Sequence, residues 1–123
     1  MHDIDELTTR YIAVWNEPDP GARRAAVAGI WSEDALVYTE PSEYSGLAAI
    51  QQRVAAAYEK WVKQEGYLFR ATTTTDAHHD GIRLRWEMVP AAGGAAASTG
   101  VQFLLLDPAG LVRCDYQFVD PAA

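Results

Sequence analysis

The stretch YTEPSEYSGLAAI, residues 38–50, is where the sequence changes from a predicted strand to a predicted helix. The apolar, partly β-branched residues 35–38 predict a short strand that breaks at Pro41, and a helix is predicted after Gly46. Glu40 therefore stands at the end of a strand, directly before a proline. A carboxylate at the edge of an apolar cavity accepts protons better near neutrality, because burial disfavours its charged form. Glu40 is thus a candidate general base, and the alternative is a solvated turn residue.

Three amphipathic helices are predicted around this segment. The first follows Asp3 and closes at residues 16–20, where the sequence is NEPDP. The second helix is predicted to have Asp19 as its N-cap and Pro20 as its first residue, and to end near Trp31. The third helix buries a stripe of Ile50, Val54, Tyr58, Trp61 and Val62, while Gln51, Arg53, Lys60 and Lys63 point to water.

After Gly66 the apolar residues follow the period of two that is typical of strands. Strands are predicted over residues 67–76, 82–89, 97–106 and 111–119, joined by the turns DAHHDG, PAAGGAA and DPAG. The class is therefore α+β, with three helices followed by a four-stranded meander whose curved sheet wraps around them. No linker or repeat divides the chain, so residues 1–123 are predicted to form a single domain.

Charge and composition exclude several classes of protein. Seventeen acidic and ten basic residues give a net charge of −7, so a nucleic acid backbone would be repelled. Cys114 is the single cysteine, which excludes an intramolecular disulfide and favours a reducing, cytoplasmic location. The first eleven residues are acidic where a signal peptide is basic, and no apolar run approaches membrane-spanning length. A soluble protein that binds neither membrane nor nucleic acid is expected.

The two adjacent histidines raise the question of a metal site. His78 and His79 lie in a predicted hairpin turn beside Asp76 and Asp80. Neighbouring side chains at the end of a strand point in opposite directions, and no third ligand follows at a usual spacing. A solvated turn is therefore expected. No phosphate loop, HExxH motif or Ser-His-Asp order is present, so neither a metal nor a cofactor is expected.

The order of the elements resembles the cone-shaped nuclear transport factor 2-like (NTF2-like) fold, and in particular its SnoaL-like polyketide cyclase and ketosteroid isomerase branches. The resemblance is carried by residues 10–38, by residues 40–50 and by the final LLLDPAGLVRCDYQF of residues 104–118. It implies three N-terminal helices packed in a curved, mainly antiparallel sheet. This fold hosts isomerases, cyclases, dehydratases, epoxide hydrolases and non-catalytic binding modules, so the fold alone does not select an activity.

The resemblance to ketosteroid isomerases implies three catalytic residues. Tyr11 matches the tyrosine that donates to the substrate oxygen, and Glu40 before Pro41 matches the acid that moves the proton. The third position, a protonated acid in that family, falls on Gln102. Glutamine is a weaker acid than a neutral carboxyl group and stabilises a developing enolate less, and a glutamate base is one methylene longer than aspartate.

A largely aromatic interior with several polar groups predicts a pocket for a small hydrophobic molecule, although the same side chains could simply pack the core. On the last strand, alternation is expected to turn Cys114, Tyr116 and Phe118 towards this pocket, and Asp115 and Gln117 away from it. The predicted pocket residues are Trp15, Trp31, Tyr38, Trp86, Leu104, Cys114, Tyr116 and Phe118.

Residues 101–106 are apolar on both faces of their predicted strand. Gln102, Leu104 and Leu106 are expected to face inward, which sends Val101, Phe103 and Leu105 outward. An apolar outer face needs a cover, and the simplest one is a second copy of the chain, so a homodimer through the outer sheet face is predicted. The alternative cover is the chain's own termini.

Two functions from different classes remain open. The first is a SnoaL-like protein that carries out isomerase, cyclase or dehydratase-type proton transfer on a small hydrophobic ligand, without a cofactor. The second is a non-catalytic binding or dimerisation module in which Glu40 is solvated and the aromatic residues only pack.

Overall fold

The computed structural model describes residues 3–72 and 75–121. Its helices are α1 (Ile4–Asn16), α2 (Pro20–Ile30) and α3 (Gly46–Ala57), and α3 continues into a π-helical segment, Tyr58–Gln64. The strands are β1 (Trp31–Tyr38), β2 (Glu43–Ser45), β3 (Tyr67–Ala71), β4 (Asp76–His78), β5 (Gly81–Pro90), β6 (Ser98–Leu106) and β7 (Val112–Val119). None of the helices in these two ranges is long and apolar enough to cross a membrane.

Side-chain caps start the first two helices where the sequence predicts. The Asp3 carboxylate accepts a hydrogen bond from the Glu6 backbone N–H at 3.0 Å, and the Asp19 carboxylate accepts one from Ala22 at 2.7 Å. Each bond satisfies a backbone donor that the first helical turn leaves free. The predicted helices are therefore confirmed. The first strand is longer than predicted, because β1 begins at Trp31, directly after α2.

The sheet is larger than a four-stranded meander. Its order is β2-β1-β7-β6-β5-β3, and β4 pairs with β5 beside β3. β1 runs parallel to β7, whereas the other pairs are antiparallel. The predicted strand over residues 67–76 is divided between β3 and β4, and Thr73 and Thr74 lie outside the described residues. The α+β class is confirmed, with three helices and a mixed sheet that is mostly antiparallel.

The core forms where the helices pack against one face of the sheet. On β6 the predicted alternation is confirmed, because Gln102, Leu104 and Leu106 are buried while Phe103 is 40% exposed. The helices supply the apolar residues that cover these side chains. The fully buried large residues include Tyr11, Val14, Val27, Ile30, Trp31, Ile50, Val54, Ile82, Leu84 and Val112.

The side chains of β7 point to the faces of the sheet opposite to those predicted. Leu105 pairs with Cys114 but Leu106 pairs with Val112, so Arg113 is an extra residue that forms a bulge. A bulge shifts the alternation of its strand, and here Asp115 becomes fully buried. The prediction that Asp115 and Gln117 face away from the interior is therefore wrong. Tyr116 and Phe118 are exposed, because they share a face with Phe103 and Val101, their register partners on β6.

A glycine lets an aromatic ring lie close to β6. A Cβ atom on Gly100 would stand 2.3 Å from the Trp86 ring and 2.2 Å from the Phe118 carbonyl oxygen, distances that real Cβ atoms do not adopt. Trp86 is the register partner of Gly100 on β5. The absence of a side chain at residue 100 therefore allows the indole of Trp86 to reach the side-chain amide of Gln102.

Candidate functional site

A cavity of about 1340 Å³ lies against the inner face of the sheet and extends to the ends of β1 and β7, where outer-face residues also line it. Its wall is mainly aromatic and aliphatic, with polar groups from α1, α3, β6 and β7. The sequence-predicted residues that line it from the inner face are Tyr11, Trp15, Trp86 and Gln102, and its lining also includes Glu40 and three outer-face residues, Tyr38, Tyr116 and Phe118. Trp31, Leu104 and Cys114 are not among its lining residues, since Trp31 and Leu104 belong to the packed core. Cys114 lies half-buried on the outward-facing side of β7, paired with Leu105.

Four side chains from α1, β5, β6 and β7 form one hydrogen-bonded chain beside this cavity. The Trp86 indole donates to Gln102 Oε1 at 2.9 Å, and Gln102 Nε2 donates to Tyr11 Oη at 2.6 Å. Tyr11 Oη lies 2.6 Å from Asp115 Oδ2, and Gln102 Nε2 lies 3.1 Å from the other carboxylate oxygen. Each acceptor and donor of the Gln102 amide is thus engaged within the protein.

Burial changes the acid–base behaviour of both titratable groups in this chain. Loss of solvent raises the pKa of Asp115 to about 6, although the Tyr11 hydroxyl, the Gln117 amide and the charge of Arg53 each lower it. Burial, followed by the charge of Asp115, raises the pKa of Tyr11 well above its ordinary value. Tyr11 therefore keeps its proton at physiological pH, whereas Asp115 titrates close to neutrality.

The protonation of Asp115 decides where the Tyr11 hydroxyl can donate. When Asp115 is ionised, it accepts the one proton of Tyr11, and Tyr11 Oη accepts from Gln102. When Asp115 is protonated, its own O–H can donate across the same 2.6 Å contact, which frees the Tyr11 proton for the cavity. The pair can therefore present a hydrogen-bond donor to a ligand oxygen in its protonated state.

Glu40 lies at the mouth of the same cavity. Its side chain is exposed, and within the described residues it forms neither a hydrogen bond nor an ion pair. The sequence argument for a general base required a carboxylate held away from solvent, and this condition is not met at Glu40. The structure brings Tyr11 and Gln102 into direct contact, while Glu40 shares only their cavity.

Sequence reasoning missed three polar residues of this region. Asp115 and Gln117 were assigned to the wrong face because the bulge at Arg113 leaves no signal in residue types alone. Arg53 lines the cavity and is half-buried, so the prediction that it points to water is wrong. One feature of the sequence could have indicated that Asp115 and Gln117 share a face: they are two polar residues spaced by the two-residue period of a strand.

The histidine turn does not assemble a metal site with other ligands. Within residues 3–72 and 75–121, no three histidine, cysteine or acidic side chains come together in a way that could hold a metal ion. His78 and His79 are exposed, and their Nδ1 atoms lie 3.1 Å apart. His79 has a positive φ of 54°, as expected in a tight turn between β4 and β5.

Solved structures with the same architecture come from several bacteria. A candidate isomerase of the SnoaL-like family from Agrobacterium tumefaciens has a TM-score of 0.84 and 26% identity, covering 94% of this chain and 96% of its own. An NTF2-like protein of unknown function from Exiguobacterium has a TM-score of 0.72 and 16% identity, covering 94% and 99%. A candidate polyketide cyclase from Sinorhizobium meliloti has a TM-score of 0.70 and 16% identity, covering 95% and 99%. No protein-family model and no curated protein matches the chain.

The raised pKa of Asp115 predicts a specific pH dependence of stability. Between about pH 3.8 and pH 6 the Asp115 carboxyl group is protonated in the folded protein but ionised in the unfolded chain. The stability that protonated Asp115 contributes to the fold is therefore complete below about pH 3.8 and is lost as the pH rises to about 6. This difference corresponds to roughly 3 kcal/mol. We expect the stability of the wild type relative to Asp115→Asn to fall by most of that amount between pH 4 and 7, measured by urea unfolding. A difference that stays constant across this range would contradict the assignment.

Proposed function

The chain belongs to the NTF2-like superfamily, and we propose that it is an enzyme that moves a proton on a small, mainly hydrophobic carbonyl compound without a cofactor. The reaction is of the isomerase, cyclase or dehydratase type. One observation carries the proposal: a buried acid with a pKa of about 6 lies 2.6 Å from a tyrosine hydroxyl on the wall of an aromatic cavity. The proton that this acid gains near neutrality decides whether the Tyr11 hydroxyl can donate into the cavity.

In this proposal Tyr11 binds the carbonyl oxygen of the substrate. Removal of a proton next to a carbonyl group places negative charge on that oxygen, and a fixed donor stabilises this charge most in a dry site. Protonated Asp115 supplies a hydrogen bond to Tyr11 Oη, and Gln102 supplies a second one at 2.6 Å. Both bonds make the Tyr11 proton a stronger donor, because they stabilise charge that shifts towards Tyr11 Oη.

Glu40 is the proposed base. It lines the cavity at its mouth, and it is not engaged by another described side chain, so its carboxylate is available to a ligand. Closure of the mouth around a hydrophobic substrate would remove water from this carboxylate and increase its basicity. The likeness to a candidate isomerase and a candidate polyketide cyclase supports this class of chemistry.

A second candidate function is a binding module that performs no reaction. The exposure of Glu40 favours it, since a solvated carboxylate is a poor general base for a buried substrate. In this case the cavity would hold a hydrophobic ligand, and the chain of Trp86, Gln102, Tyr11 and Asp115 would serve only to fix its wall.

Deuterium exchange at the carbon next to a ketone separates the two functions without knowledge of the natural substrate. We expect the protein to accelerate exchange into 2-tetralone in D₂O, followed by ¹H NMR. Glu40→Gln should lower the accelerated rate on the order of 10²-fold or more, because a positioned base contributes at least that factor. Glu59→Gln, which removes an exposed carboxylate on the π-helical segment, should not change the rate.

Equal exchange in the wild type and in Glu40→Gln would remove Glu40 from the mechanism. Binding of 2-tetralone without accelerated exchange would contradict catalysis and support the binding module. Tyr11→Phe adds an internal check, since loss of the donor should reduce the rate while Asp115 and Gln102 stay in place.

We also propose that the protein is a homodimer joined through the outer face of the sheet. Tyr116 packs against Tyr38 at 4.9 Å and against Phe103 at 6.3 Å between ring centroids, and all three rings lie on that face. Phe118 extends this aromatic surface and is 53% exposed. A contiguous exposed apolar patch of this kind is typical of an interface between protein copies.

Sedimentation equilibrium tests the dimer. We expect a mass of twice 13.5 kDa for the wild type and 13.5 kDa for Phe118→Asp, because a buried unpaired charge would disrupt the interface. Ala25→Asp places the same charge on the exposed side of α2 and should leave the dimer intact. A wild-type mass of 13.5 kDa at high micromolar concentration would overturn the proposal.

A further inference from the structure

A basic side chain and an amide meet on the cavity wall, apart from the chain of hydrogen bonds that ends at Asp115. Arg53 comes from α3 and Gln117 from β7, and both line the cavity. Arg53 Nη2 donates to Gln117 Oε1 at 3.2 Å. This contact engages the carbonyl oxygen of the Gln117 side chain and does not involve its NH₂ group.

Two buried donors in this pair have no partner. Arg53 Nε and Gln117 Nε2 are both inaccessible to solvent, and neither makes a hydrogen bond within the part of the chain that the structure describes. Gln117 lies close enough to Asp115 to lower the pKa of that carboxyl group, but it does not reach hydrogen-bonding geometry. A buried N–H group without a partner is costly and is rare in folded proteins, so a small turn of the Arg53 or Gln117 side chain that brings these donors to a ligand in the adjoining cavity would be favourable.

The guanidinium group of Arg53 also has no described carboxylate in contact with it. Within residues 3–72 and 75–121, no carboxylate lies within 4.0 Å of its guanidinium group. The guanidinium carbon instead lies 5.6 Å from the ring centre of Tyr44 and 5.9 Å from that of Trp15. These aromatic faces stabilise a cation while leaving its N–H groups available. A guanidinium held in this way presents a fork of donors that matches a carboxylate.

We infer that the cavity binds a hydrophobic carboxylic acid, with the ligand's carboxylate on Arg53 and Gln117 and its apolar body against the aromatic wall. The inference rests on the proposed function, because it names the class of molecule that this same cavity takes. It also explains how a chain of net charge −7 can hold an anion, since the local charge at the pair is positive. With Tyr11 on the same cavity, an acid that also carries a carbonyl group would engage both polar positions.

A matched pair of probes tests the inference. 2-Naphthylacetate and 2-naphthylacetamide share an aromatic body and differ in the charge of the end group. We expect the wild type to bind the acid at least tenfold more tightly than the amide, measured by isothermal titration calorimetry at pH 7.5. Arg53→Gln should remove this preference by weakening the acid alone. Arg24→Gln removes the same charge from the exposed side of α2 and should leave the preference unchanged.

Two further variants keep the test independent of folding defects in Arg53→Gln. Arg53→Lys retains the charge but loses the fork, so it should keep part of the preference. Gln117→Leu should weaken the acid and leave the amide unaffected, because it removes one unpartnered donor. Circular dichroism of each variant establishes that the fold is kept.

The outcomes distinguish this inference from the function on which it rests. Equal binding of acid and amide by the wild type would overturn the carboxylate site while leaving the cavity as a ligand site. An acid preference that persists in Arg53→Gln would likewise overturn it. Failure of both probes to bind at millimolar concentration would contradict the inference and the proposed function together.

Discussion

The burial of the Asp115 carboxyl group is the constraint on which the rest of the site depends. A carboxyl group without solvent needs partners, and they come from other elements: Tyr11 from α1 and Gln102 from β6. Gln102 is in turn held by Trp86 of β5, whose ring can approach only because residue 100 is glycine. One helix and three strands are thus fixed relative to one another by a single buried acid.

The same arrangement gives the cavity two chemically different polar positions. At Tyr11 the donor depends on a proton that Asp115 gains and loses near neutrality. At Arg53 the charge is permanent, because arginine keeps its proton at any physiological pH. The two positions are coupled, since the charge of Arg53 lowers the pKa of Asp115. An anion bound at Arg53 would reduce that effect, so ligand binding would favour the protonated acid and hence the free Tyr11 donor.

Local rules were sufficient to predict most of the fold. The caps at Asp3 and Asp19 define helix starts within a few residues, and alternation on β6 follows from one uninterrupted run of strand residues. The facing of β7 could not be predicted in this way, because the bulge at Arg113 is a property of its pairing with β6 rather than of its own sequence.

The candidate site was predictable only in part, for a related reason. Tyr11 and Gln102 lie on elements whose facing follows from periodicity, whereas the role of Arg53 depends on which space its helix borders. A polar residue beside an apolar stripe on a helix is normally predicted to face water. A polar residue on the wall of a cavity gives the same sequence pattern, so the pattern does not distinguish the two positions. Apolar side chains on β7 were assigned to the interior, although the outer face of this sheet is also apolar. Period alone cannot distinguish two apolar faces.

The pKa of Asp115 tests the central claim most directly. Protein labelled with ¹³C at the aspartate carboxyl groups can be titrated by NMR, with Asp115→Asn used to assign the resonance. A midpoint of about 6 is predicted for the Asp115 resonance. A midpoint at or below the ordinary value of 3.8 would mean that the carboxyl group stays ionised, and it would contradict both the proton switch at Tyr11 and the acid–base function built on it.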